Sequence, residues 1–152
     1  MAAGNFIFPD KAKLNFFSAT DLLNAANTFK MTLHTSAWTP NNSTNEVFAD
    51  VTNELATGNG YAAGGVTLSG VSLAQAAGTV KFTAGSAVWT ASGGSIPSWR
   101  YGVIRAVGTF NGKVDPIVGY FLGDTTPADV PATTAPNTLT VTPSASGILS
   151  AT

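Results

Sequence analysis

The residues able to do chemistry are few. His34 is the only imidazole, and cysteine is absent. A Ser-His-Asp triad would need that ring in a cleft, with a serine and an acid aimed at it. In "TFKMTLHTS" (28–36), however, Phe29, Met31 and Leu33 alternate with Lys30, Thr32 and His34. A strand here puts His34 on the polar face, exposed or at an interface. One His and no Cys leave no zinc site of the usual spacing. Glu46, Asp50 and Glu54 recur at every fourth position and offer oxygen ligands of the kind calcium takes, but the EF-hand loop pattern is missing. They read as a solvated acidic edge. No pair of carboxylates is fixed at the separation glycoside hydrolysis needs. The expectation is a chain with no catalytic residues, no metal and no cofactor.

"ELATGNGYAAGGV" (54–66) contains Gly58-x-Gly60-x-x-Ala63, the spacing of a dinucleotide fingerprint. That motif works only between a strand and a helix, with an acidic residue roughly twenty positions on to hold the ribose. Here Gly64, Gly65 and the β-patterned "VTLSGVSL" follow, and the next acid after Glu54 is Asp115. The stretch therefore reads as a long turn. Gly58, Gly60, Gly64 and Gly65 supply positive φ or close backbone approach, and Tyr61 packs back onto the sheet. Trp38, Trp89, Trp99 and Tyr101 could stack on a sugar beside Arg100, but in a β chain such rings more often plug a core or fill a subunit contact. Arg100 and Arg105 lie on opposite faces of a regular strand. At least one is expected at an interface or paired with an acid such as Asp115.

Only 10% of the 152 residues are charged, with a net charge of −1, against roughly 25% charged in an average domain. The scattered basic residues do not suit nucleic acid, which needs clustered Lys and Arg. Weak self-repulsion favours association with other subunits. The start, "MAAGNFIFPDK", lacks a basic region before an apolar core and is a poor signal peptide. Residues 55–80 carry no charge, but their glycines and hydroxyls break any apolar run, so no membrane span is expected.

The elements that must position these residues are short strands and turns. Period-two patterns predict strands at 28–36, 65–73, 78–84 (Val80 and Phe82 inward) and 137–143 (Leu139 and Val141 inward). The more continuously apolar 99–108 and 116–124 read as central strands covered on both faces. A final strand is expected at Ile148 and Leu149. Ser18–Asp21 before "LLNAANTF" predicts a helix of about two turns, with Leu22, Leu23 and Ala26 on its apolar face. The segment 45–55 reads as partly extended. The sum is a single all-β domain over 1–152, an antiparallel β-sandwich or barrel with at most one or two short helices. It has an N-terminal arm at 1–12 and a Pro-rich loop at 125–137.

Five stretches, in this order and spacing, carry a resemblance: "LHTSAWTPN" (33–41), "FADVTNELATGNGYAAGGVTLSGV" (48–71), "AVWTASGGSIPSWRYGVI" (87–104), "DPIVGYFLGD" (115–124) and "NTLTVTPSASGIL" (137–149). Together they resemble a family of small virion structural proteins of tailed bacteriophages. The resemblance implies a place in the phage particle, on head or tail, after synthesis in the bacterial host cytoplasm, and it brings no catalytic residues. The expected role is a capsid decoration (cement) protein, a homo-oligomer bound to the major capsid protein or other virion subunits. The alternative is a tail or tail-fibre component with a receptor-binding or assembly role. Candidate subunit contacts are Phe6, Ile7 and Phe8 of the arm, Trp38, Arg100 and Arg105, and Pro127 and Pro131 of the Pro-rich loop. The three arm residues are either an inserted anchor or part of the protein's own first strand.

Overall fold

A computed structural model describes residues 4–9, 21–126, 128–144 and 146–151. Within these, the chain forms short strands: β1 (Phe29–His34), β2 (Val66–Thr67), β3 (Ser72–Ala76), β4 (Thr79–Thr83), β5 (Ala87–Thr90), β6 (Ser95–Ile96) and β7 (Tyr101–Ala106). There follow β8 (Thr109–Phe110), β9 (Lys113–Val114), β10 (Ile117–Leu122), β11 (Thr133–Thr134), β12 (Thr138–Val141) and β13 (Leu149–Ala151). The fold is all-β, and the pairings are antiparallel.

The largest sheet runs β10-β7-β1-β2. One of its faces carries Phe29, Met31, Leu33, Ile104, Val118 and Phe121. These pack against Phe82 of β4, Trp89 of β5, Ile96 of β6 and Leu139 and Val141 of β12. The sheets β12-β5, β13-β4-β3 and β11-β6 thus form a second layer over a shared core. The alternation expected at Leu139 and Val141 holds, with Thr138 and Thr140 exposed. On β4 it holds for buried Phe82, whereas Val80, expected inward, is 39% exposed. The β3-β4 hairpin extends past the core, so the end of its inner face stays uncovered.

The other face of the large sheet is also covered. Val103, Ile117 and Tyr120 contact Trp38 and Val51, with Phe48 and Tyr101 packed alongside. Trp38 meets Tyr101 and Tyr120 edge-on, at 5.2 and 5.5 Å between ring centroids. Each such pair is worth about 0.5–1.5 kcal/mol beyond its buried area. The cover comes from residues 35–65, which hold only isolated bridges and one 3₁₀ turn, Phe48–Asp50. Either side of that turn the chain is extended, as expected for 45–55. A register shift between Ile117 and Gly119 lets β10 feed both faces. Val118 and Phe121, three positions apart, reach one core, while Ile117 and Tyr120 reach the other.

The N-terminal arm closes the outer edge of β10. Gly4 N–H donates to the Leu122 carbonyl, and Ile7 exchanges two backbone bonds with Tyr120. A side chain at Gly119 would run into the Phe6 ring and the Ile7 carbonyl. Residues 1–3 and 10–12 of the arm lie outside the described residues.

The expected helix after Ser18 is not formed. Ser18–Thr20 lie outside the described residues, and Asp21–Asn27 make turns. Asn side chains take over the hydrogen bonds a helix would use. Asn24 Oδ1 accepts from the Ala26 N–H, and Asn27 Nδ2 donates to the Asp21 and Leu22 carbonyls. Asp21 sits at φ 68°. Leu22 and Leu23 still enter the core, while Ala26 is exposed.

The glycine stretch is a turn, as its sequence predicts. Gly65 has φ +75°, and a Cβ there would stand 2.0 Å from the Met31 carbonyl oxygen. Only glycine lets the chain enter β2 beside β1. Gly64 has φ +89°, but a Cβ there would meet nothing nearer than Arg105 Nη2 at 3.8 Å. Gly65→Ala is therefore expected to cost more than about 2 kcal/mol of unfolding free energy, from clash and strain together. Gly64→Ala is expected to cost about 1–2 kcal/mol, from conformation alone. Urea denaturation of the two variants checks the order; equal costs would refute the close approach.

Candidate functional site

The second face of β1 carries the polar residues that the sequence offered for chemistry. Thr32 and His34 are both 0% exposed. This corrects the expectation of an exposed or interface histidine, because the 35–65 segment buries the face that alternation assigned to solvent. His34 Nε2 lies 2.8 Å from Thr32 Oγ1, and Nδ1 lies 2.8 Å from the Thr52 carbonyl oxygen. A carbonyl only accepts, so Nδ1 carries the proton and Nε2 accepts from the threonine hydroxyl. Trp38 and Phe48 stand over the ring at 5.5 and 6.2 Å. Burial pushes the His34 pKa below its ordinary value, opposed by the Thr52 carbonyl and the Glu54 charge. The imidazole is neutral, and both its nitrogens are engaged.

A line of polar contacts continues from there. Glu54 bridges His34 through its backbone, and its Oε1 accepts from the Tyr61 hydroxyl at 2.7 Å and the Gly64 N–H at 2.6 Å. The Tyr61 oxygen in turn accepts from the Leu33 N–H at 3.1 Å. Burial raises the Tyr61 pKa far above the usual phenol value; the Leu33 N–H opposes this and the Glu54 carboxylate reinforces it. Tyr61 thus remains a neutral donor, packed back onto the sheet as the sequence suggested. Gly64 O accepts from Arg105 Nη2 at 3.3 Å, and Arg105 Nη1 pairs with Asp115 Oδ2 at 2.5 Å. The guanidinium lies 4.3 Å over the Phe48 ring. Asp115 Oδ1 accepts from the Gly108 N–H at 2.8 Å, closing the β8-β9 turn.

The candidate acids do not converge. Glu46 pairs with Lys113 at 2.9 Å. Asp50 Oδ2 accepts from the Glu46 and Val47 N–H groups at 2.9 and 3.0 Å, and Glu54 faces Tyr61. Among the described residues no three His, Cys, Asp or Glu side chains gather as a metal site. Open depressions of about 570 Å³ each lie at two places among the described residues. One is bordered by Phe6, Met31, Phe121 and Ile148, the other by Glu46, Phe48, Lys113 and Asp115. Neither is lined by His34 or Tyr61.

The expected contact residues fall in three places. Trp38 and Arg105 are 3% and 7% exposed. Both are committed inside this chain, which corrects their reading as subunit contacts. Arg105 takes the expected alternative, the pairing with Asp115. Phe6, Ile7 and Phe8 are half-buried along β10 and its two cores, so the arm serves as the protein's own edge strand. Arg100 and Pro131 remain accessible on adjoining segments. Trp99 bridges Val130, and Arg100 Nε pairs with Asp129 Oδ1 at 2.7 Å. Pro127 lies outside the described residues. The Thr32–His34–Thr52 and Glu54–Tyr61–Gly64 contacts were not foreseen. Their only trace in the sequence is Glu54 leading into a glycine turn that holds a tyrosine.

The chain matches no protein-family model, no curated protein and no solved structure.

The arrangement fastens the 35–65 segment to the sheet. His34 cannot reach a substrate unless that segment lifts. The unfolded chain lets His34 titrate near about 6.5, while the folded state holds it neutral to lower pH. Its contribution to stability is complete above the unfolded value and is lost as pH falls through the lowered folded one. Denaturant midpoints measured from about pH 7 down to about pH 5 are expected to decline. The decline should be shallower in His34→Gln; identical slopes would place the acid sensitivity elsewhere.

Proposed function

We propose that this chain is a non-enzymatic structural protein of a tailed-bacteriophage virion, a capsid decoration protein that binds the major capsid lattice as a homo-oligomer. The observation that carries the reading is where the reactive side chains go. The sole imidazole is sealed beneath Trp38 and Phe48 with both nitrogens bonded, and Glu54, Arg105 and Asp115 spend their charges holding one chain segment to another. What faces solvent instead is weakly charged strand and turn, with Leu73, Val80, Val88 and Val114 among its exposed apolar residues. Such a surface suits contact with neighbouring subunits. In an array each copy binds weakly while the lattice binds firmly. The order and spacing of the five sequence stretches supply the particle as the setting.

Gel densitometry of purified virions is expected to give a copy number comparable with that of the major capsid protein, with immunogold label on heads. A handful of copies retained in isolated tails would replace the head assignment with the tail reading. Absence from purified particles would overturn both.

A further inference from the structure

The edge of β10 is closed by the arm, and most other strands have four residues or fewer. Among the described residues β3, at five residues, is the longest strand with an edge left uncovered. Among the described residues it pairs only with β4, in five consecutive register positions without a bulge. Ser72, Leu73, Ala74 and Gln75 are all exposed, Leu73 at 44%. The hairpin turn fixes which backbone groups face outward. Ala77 and Gly78 both have positive φ, 50° and 83°, the pattern of a two-residue type I′ turn. Ala76 and Thr79 then form the closing hydrogen-bonded pair. Bonds to β4 alternate from there, so Leu73 and Gln75 point their N–H and C=O groups away from β4.

Exposed edges are ordinarily protected by lysine, proline, a bulge or extreme shortness. β3 has no charged residue, no proline and no bulge. Unpaired N–H and C=O groups in a straight row are matched by another strand. The outward pair, two residues apart, is self-complementary. We propose that β3 pairs with β3 of a second copy, antiparallel about a two-fold axis at Ala74, joining the two β13-β4-β3 sheets into one. Leu73 then faces Gln75 of the partner subunit, and the reciprocal pair repeats it, each pair exchanging both of its backbone hydrogen bonds. Exposed Leu73 and Val80, the latter 39% exposed and opposite Gln75, lie on the face that the joined sheet extends. The hairpin's one charge, Lys81, is on the inner strand opposite Ala74. Its mate stands three strand spacings away, about 14 Å, beyond the screening length of about 8 Å at physiological salt. Nothing on the edge repels its copy.

The inference rests on the homo-oligomer reading in taking a second copy as partner, but it is tested on purified protein without a particle. The chain has no cysteine, so one introduced thiol reports one contact. Facing positions at the axis form a non-hydrogen-bonded pair with Cα atoms about 4.5 Å apart, within disulfide reach. Ala74→Cys is expected to give a covalent dimer under mild oxidation at least about tenfold faster than Val114→Cys, since a pre-formed contact raises the effective thiol concentration. Sedimentation should show wild-type self-association that Leu73→Lys weakens. A monomeric wild type, or Ala74→Cys crosslinking no faster than Val114→Cys, overturns the proposal. Neither result touches the copy number in virions, so the contact and the particle assignment can fail separately.

Discussion

The structure depends on burying both faces of β1 and β7. A sheet with one wet face can leave its alternate residues polar and unpaired, because water satisfies them. Here the second face of the central sheet is largely covered, so its buried polar groups draw partners from the chain itself, the Arg105 Nε being left without one among the described residues. A buried donor or acceptor left alone costs about 1–3 kcal/mol. Thr32 and His34 satisfy each other, and Thr52 takes the remaining imidazole proton. Arg105 is held by Asp115 and the Gly64 carbonyl. These contacts fasten the 35–65 segment to the sheet.

The same constraint explains why an irregular segment can serve as a cover. Residues 35–65 have almost no ladder of their own, so their backbone groups must be satisfied singly. They are met at spaced points along the sheet: Thr52 at His34, the Leu55 N–H at the Leu33 carbonyl, and Gly64 between Glu54 and Arg105. Trp38, Phe48 and Val51 supply the apolar part between those points. The tight turn at Gly64-Gly65 delivers the chain into β2, next to β1. Sequence, backbone conformation and packing meet there: a residue with a Cβ at 65 would push β2 off β1 and carry the Gly64 carbonyl away from Arg105.

What the sequence made legible was whatever depends on near neighbours. Leu139 and Val141 alternate with threonines, and β12 follows that pattern. The more continuously apolar stretches 99–108 and 116–124 hold the doubly covered strands β7 and β10. The glycines at 58–65 take positive φ, and Asp115 is the partner of Arg105. What escaped depends on distant chain. His34 reads as exposed or at an interface because alternation shows which residues share a face but not what lies over it, and the cover has no period to announce it. The failed helix at Asp21–Asn27 has the right apolar spacing, yet Asn24 and Asn27 compete for its backbone bonds. The N-terminal arm reads equally as an anchor for a neighbour or as the protein's own strand, and it pairs with β10. The Phe6 ring lies against Gly119, where a side chain would have no room, a match visible only once β10 lies beside the arm.

The charge economy of the molecule links its interior to its surface. Three ion pairs among the described residues, Arg100–Asp129, Arg105–Asp115 and Lys113–Glu46, bind charges that are already scarce. Each pair that braces a loop also removes a source of repulsion between copies. Long-range self-repulsion therefore does little to keep copies of this chain apart, and protection must come from local geometry. That geometry is uneven. At β10 the arm satisfies the outward backbone groups, and hydrogen bonds to Leu122 and Tyr120 compete with any incoming strand. At β3 no other strand among the described residues competes for the outward edge. Water loses little when a strand replaces it, because each broken hydrogen bond is remade, and the exposed Leu73 side chain leaves solvent in the exchange. The proposed self-association accordingly rests less on how many apolar residues the fold exposes than on which edge, among the described residues, lacks a fastening of its own.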